Sequence, residues 1–189
     1  MATFPHTLED KIMKKLLLAL VLVFALPLYG VSIAQAQAIP KSVVVVLTGT
    51  ATGEFRDIGG ITMDCFDVDI TDPVSGMILG TGTDCLDLAS IAPIGDDGGF
   101  TINNTQFFHL PQGTIVTAVV TTIQPAGVGS PGVTHVTGAV SADGGNQVLN
   151  GDRRYSNAQG RVRLNGGVDM SLFGANIITF DCIFRIDFD

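Results

Sequence analysis

Tryptophan is absent from the 189 residues, and tyrosine and glutamate each occur only twice. Lysine and arginine together number ten against eighteen acids, which leaves a formal net charge of −8. That balance excludes nucleic acid as a partner, because phosphate recognition demands clustered cations. Lys41 is the only lysine beyond residue 15, which argues against Schiff-base chemistry. No G-x-S-x-G or H-E-x-x-H motif occurs, and the glycine-rich stretch 49–60 (GTATGEFRDIGG) fits neither a Rossmann nor a P-loop pattern. With Glu54, Arg56 and Asp57, that stretch reads as a loop at a barrel mouth. The three cysteines are 20 and 97 residues apart, and beyond residue 38 only His109 and His135 supply imidazole. Metal ligands usually arrive at tighter spacing, so no metal site is expected, and no cofactor.

What the chain does contain begins with an export signal. Met13-Lys14-Lys15 precedes the apolar run from Leu16 to Leu26, then Pro27, then Ala34-Gln35-Ala36-Gln37-Ala38. A positive start, a short apolar middle and an Ala-x-Ala end are the parts of a secretory signal peptide. The run is short of the ~20 residues that a membrane span needs. Residues 1–38 are therefore assigned to an N-terminal extension and signal peptide cleaved near Ala38, and residues 39–189 to a single domain, secreted or periplasmic, with no stable membrane insertion after cleavage.

Glycine at 23 residues and aspartate at 16 favour turns and cost helix stability. Beyond residue 38 the apolar period is two almost throughout, in eight runs near 42–50, 60–70, 77–88, 99–110, 113–123, 132–140, 160–170 and 176–188. Turn chemistry separates them, as in Asp72-Pro73-Val74-Ser75-Gly76 and Asp96-Asp97-Gly98-Gly99. The expected fold is all-β, an eight-stranded antiparallel up-and-down β-barrel, because closure removes exposed edges. A β-sandwich is the alternative. Eight strands enclose a lumen that side chains fill or that holds one small ligand.

Two hairpins can be given a register. Pairing Gly166 with Cys182 matches Val168 with Phe180, Leu164 with Phe184 and Val162 with Ile186 on one face. The other face pairs Arg161 with Asp187, and Arg163 with Arg185, a like-charge pair that needs a carboxylate or water nearby. Placing Cys65 opposite Cys85 sets Phe66 against Asp84 and Asp64 against Leu86. A cross-strand disulfide between Cys65 and Cys85 is then feasible in an oxidising compartment, worth on the order of 3 kcal/mol by chain entropy. Cys182 falls among Phe180, Phe184 and Ile186 and reads as a buried apolar side chain.

Each cysteine follows an aspartate, and alternation points Asp64 and Asp84 away from their cysteines, to the Phe66, Val68, Leu86 and Leu88 face. Two carboxylates on an apolar interior face are candidate acid–base groups, since burial raises a carboxyl pKa. The plainer reading is hydrogen bonding near a strand end. Asp67, Asp69, Asp72 and Asp87 lie on the outer face and read as solvated.

The stretch from Val148 to Leu164 (VLNGDRRYSNAQGRVRL), then Gly167-Val168-Asp169-Met170 and Ile178-Thr179-Phe180-Asp181-Cys182, resembles the allene oxide cyclase-like and dirigent-like barrels. Gly151, Tyr155, Ala158 and Gly160 fit their Gly-x-Gly-x-Phe-x-x-Ala-x-Gly stretch, while Asp152-Arg153-Arg154 departs from it. Gly80 to Cys85 is similar to bacterial members. The resemblance implies an eight-stranded barrel, often trimeric, with an apolar cavity that enforces a substrate conformation. Plant members cyclise an unstable allene oxide or steer radical coupling. The functional expectation is an exported barrel that binds a small apolar molecule, either as a cyclase or isomerase or as a stereochemical guide. Asp64 and Asp84 would be its polar handles, with Phe66, Phe108, Tyr155 and Phe180 as candidate walls. A non-catalytic binding or assembly module with a packed barrel is the alternative.

Overall fold

Alternation drives the architecture. In the computed structural model, which describes residues 38–127, 132–138 and 145–189, each of the eight period-two runs contributes a strand with one face turned inward. The strands are β1 (Ser42–Thr52), β2 (Glu54–Ile58), β3 (Ile61–Thr71), β4 (Ile78–Ile94), β5 (Gly99–Leu110), β6 (Gly113–Pro125), β7 (Val133–Gly138), β8 (Gln147–Gly151), β9 (Gly160–Asp169) and β10 (Ile177–Phe188). All pairings are antiparallel, and β1 closes the cylinder by pairing with both β10 and β3. The ten strands make eight staves. β1 and β2 share one, both pairing with β3, and β7 and β8 share another between β6 and β9. The signal-peptide assignment lies, apart from Ala38, outside the described residues.

Both sequence-derived registers are present. Cys182 pairs with Gly166, Phe180 with Val168 and Phe184 with Leu164. Cys65 pairs with Cys85, and Phe66 with Asp84. Gly166 lacks a side chain because one would strike Cys182, whose Cα stands 2.6 Å from the position of a Cβ. Asp187 sits opposite Arg161 as expected, but its carboxylate turns elsewhere. It accepts from Arg163 at 3.0 Å and from Arg185 at 2.8 Å, and so relieves the like-charge pair.

The expected mouth loop over residues 49–60 is strand instead. β1 runs through to Thr52, and β2 pairs with β3 from Glu54–Cys65 to Ile58–Ile61. The charges that suggested a loop point outward. Arg56 donates to Asp67 and to Glu54, and Thr83 adds a third hydrogen bond to Asp67 at 2.6 Å. The Arg56 guanidinium holds the Asp67 carboxyl below the usual carboxylate range.

The core is the barrel interior. Leu47, Phe66, Ile70, Phe108, Ile115 and Ile186 are fully buried there. A smaller apolar cluster lies on the outer face, where Met63 and the Cys65–Cys85 disulfide pack against Ile58 and Phe107. An apolar interior and outward charges such as Arg163, Arg185 and Asp187 are the inverse of a barrel that faces lipid.

Candidate functional site

Inside the barrel, strand register arranges the side chains in rungs. Asp84 is level with Gln106, and Gln106 with Thr117, while Asn104 and then Thr121 stand one and two rungs nearer the Met170 end. The opposite end is closed. Tyr155, in the 3-10 turn Arg153–Tyr155, is buried and stacks on Phe188 with ring centroids 5.7 Å apart. Phe108 lies edge-on to Phe184 at 5.3 Å.

Between the rungs and Met170 the lumen is hollow. Its lining includes Leu86, Leu164, Val168, Ile178, Phe180 and Phe184, and one sector is polar: Asp84, Asn104, Gln106 and Thr121. The cavity volume of the hollow is about 30 Å³. No Lys, Arg or His is among the described residues that line it.

Asp84 is the one acid on this wall, and it is 5% exposed. Burial pushes its carboxyl up to about 6. The Asn104 amide, donating at 3.1 and 3.3 Å to the two carboxylate oxygens, holds it below what burial alone would give. Gln106 adds a weaker pull of the same sign, although its Nε2 is too poorly placed for a hydrogen bond. Cys182, the unpaired cysteine, also lines the hollow, and burial, reinforced by the nearby Asp84 charge, pushes its thiol up to about 12. It is an apolar wall group rather than a nucleophile.

The other residues singled out from the sequence fall in different places. Asp64 faces the interior and is 1% exposed, but it stands beside the hollow. Its Oδ1 accepts from Asn176 Nδ2 at 3.2 Å, and Asn176 also donates to the Gly53 carbonyl at 3.0 Å. Gly53 has no room for a Cβ, which would meet Asp64 and come within 2.7 Å of Phe66. Asp64 thus ties the β1–β2 junction to the turn before β10. Phe180 lines the hollow. Phe66 and Phe108 stand behind it, packed on Phe180 and Phe184, and Tyr155 plugs the far end. Asn104, Gln106 and Thr121 were not singled out. Their signal was a place in the inward phase of β5, with Ile102 and Phe108, and of β6, with Val119 and Ile123.

Among the described residues no cluster of three or more His, Cys, Asp or Glu is disposed to hold a metal ion. No family model and no curated protein matches the chain.

Proposed function

We propose that this is an exported barrel that takes a small apolar molecule into its lumen and acts on it by confinement, with Asp84 as the proton-handling group. The observation that carries the reading is a single buried carboxyl, pushed up by burial to about 6, on the wall of a hollow whose other lining side chains are all uncharged. Such a group can give or take a proton near pH 6, which is what acid–base catalysis needs. Holding a substrate in a reactive conformation can supply several kcal/mol more without a nucleophile. The Cys65–Cys85 disulfide supports export to an oxidising compartment.

The finer likeness to allene oxide cyclase-like and dirigent-like barrels belongs to the same proposal. It is supported by the tight packing of its motif residues. A Cβ on Gly151 would lie 2.6 Å from the Thr114 carbonyl, and one on Gly160 would strike the Asp187 carbonyl. On that likeness the reaction is an isomerisation or cyclisation of an oxygenated, unsaturated hydrophobe. The packed far half of the lumen favours a second reading, a non-catalytic binding module.

Native mass spectrometry of protein from its own host tests the binding, and turnover of unsaturated epoxides and phenolics by wild type and Asp84→Asn tests the chemistry. A retained small molecule and turnover lost in the variant are expected. Equal turnover by both would remove Asp84 from the mechanism. Binding without turnover would select the second reading.

A further inference from the structure

Four side-chain atoms among the described residues are buried without a hydrogen-bond partner, and three of them belong to residues lining the hollow. They are Asn104 Oδ1, Gln106 Nε2 and Thr121 Oγ1, on side chains that are 5%, 1% and 5% exposed. Native proteins pair such groups almost without exception, so three around one cavity point to an occupant.

Their polarity is set by their neighbours. Asn104 donates its Nδ2 to Asp84, so its Oδ1 is left as an acceptor. Thr117 donates to Gln106 Oε1 at 3.1 Å, so the Gln106 amide is left with its donor. Thr121 is a hydroxyl and can do either. The wall therefore offers one acceptor, one donor and one group of both kinds. Leu86, Val136, Leu164, Val168 and Ile178 surround it with apolar surface.

The geometry points to a ligand with a neutral polar head that both donates and accepts, a hydroxyl or carboxamide, seated against Asn104 and Gln106, neighbours on the inward face of β5, with its apolar body running past Thr121 toward Met170. This rests on the lumen-binding reading above and narrows the class of molecule. A hydrocarbon would leave all three atoms unpaired. A carboxylate would face the Asp84 carboxyl and the Asn104 carbonyl oxygen with no cation beside it.

Four phenyl probes separate these cases: toluene, benzyl alcohol, benzamide and benzoate, titrated at pH 7.5 into the purified barrel. Binding is read from the methyl NMR signals of Val136, Leu164, Val168 and Ile178. Benzamide and benzyl alcohol are expected to bind at least tenfold more tightly than toluene and benzoate. Toluene or benzoate binding as tightly as benzamide overturns the head-group assignment and leaves lumen binding standing. If no probe moves these methyls, the lumen reading itself fails and the assignment with it. Gln106→Leu removes the donor and should reduce the benzamide preference over toluene at least threefold; an unchanged preference would overturn the assignment.

Discussion

Asp84 stands directly across the β4–β5 ladder from Gln106, with both side chains buried in the barrel. An amide opposite a carboxylate could have neutralised the cost of burial by donating to it. Gln106 instead accepts from Thr117 and leaves Asn104 as the donor to Asp84. The folded state therefore binds the Asp84 proton more tightly than the unfolded chain does, since the pKa rises from 3.8 to about 6. The sign follows from linkage: the ionised form is penalised when folded, so stability falls as pH rises between those values. Below 3.8 the penalty is absent, and above about 6 it is complete, at about 3 kcal/mol. Asp84→Asn should remove it. Thermal melts should show the variant as much as roughly 5–10 °C more stable than wild type at pH 8 and no more stable at pH 3.5. An equal shift at both pH values would mean that ionisation of Asp84 is not the cause.

The Cys65–Cys85 bridge closes a loop of 20 residues and sits at the centre of the outer apolar cluster. Chain entropy for a loop of that size amounts to about 3 kcal/mol. The double variant Cys65→Ala/Cys85→Ala also loses two buried sulfurs against Met63 and Phe107, so a loss of at least about 3 kcal/mol is expected in urea unfolding. The lumen lies on the other side of the sheet. Binding of a lumen ligand below the unfolding transition should therefore be unchanged, and a matching loss of affinity would show that the two faces are coupled.

Period-two alternation made most of the barrel legible, and for a physical reason. A one-residue slip would have turned Val162, Leu164 and Val168 outward, so the hydrophobic pattern excludes every odd shift from Gly166 against Cys182, and the close approach of Cys182 suits a glycine there. Strand β2 was not legible, because Gly53 before it and Gly59-Gly60 after it are turn residues, and the strand between them exists through its pairing with β3. β8 turns only Val148 fully inward, too little for a pattern, and its register is broken between Val116 and Thr117 of β6. Asp64 and Asp84 stood out as acids in an apolar phase, yet alternation treats them alike. What separates them is Asn176, distant in sequence from both, which engages Asp64 and not Asp84. The polar sector of Asn104, Gln106 and Thr121 was readable as an inward phase. Which of its atoms lack partners depends on distances between strands, which no spacing rule supplies.

Arg153, the first residue of the 3-10 turn after β8, has a φ of 47°. A left-handed backbone costs a residue with a Cβ roughly 1–2 kcal/mol, and glycine adopts it freely. Part of that gain is offset by the greater freedom of glycine in the unfolded chain. Arg153→Gly is therefore expected to stabilise the domain by about 0.5–1 kcal/mol in urea unfolding. A loss of stability would show that the Arg153 side chain contributes more than its strained backbone costs.

Asn176 is also left-handed, at φ 58°, and its side chain holds the Gly53 carbonyl and the Asp64 carboxylate together. Backbone and side-chain effects can be separated by two substitutions. Asn176→Gly keeps the conformation and loses both hydrogen bonds, leaving Asp64 buried without this donor at a cost of about 1–3 kcal/mol. Asn176→Ala loses the same bonds and adds backbone strain, so it should be the less stable of the two by about 1 kcal/mol. Urea unfolding of wild type and the two variants reads both differences. Equal stability of Asn176→Gly and wild type would show that the two hydrogen bonds of Asn176 add nothing net to the fold.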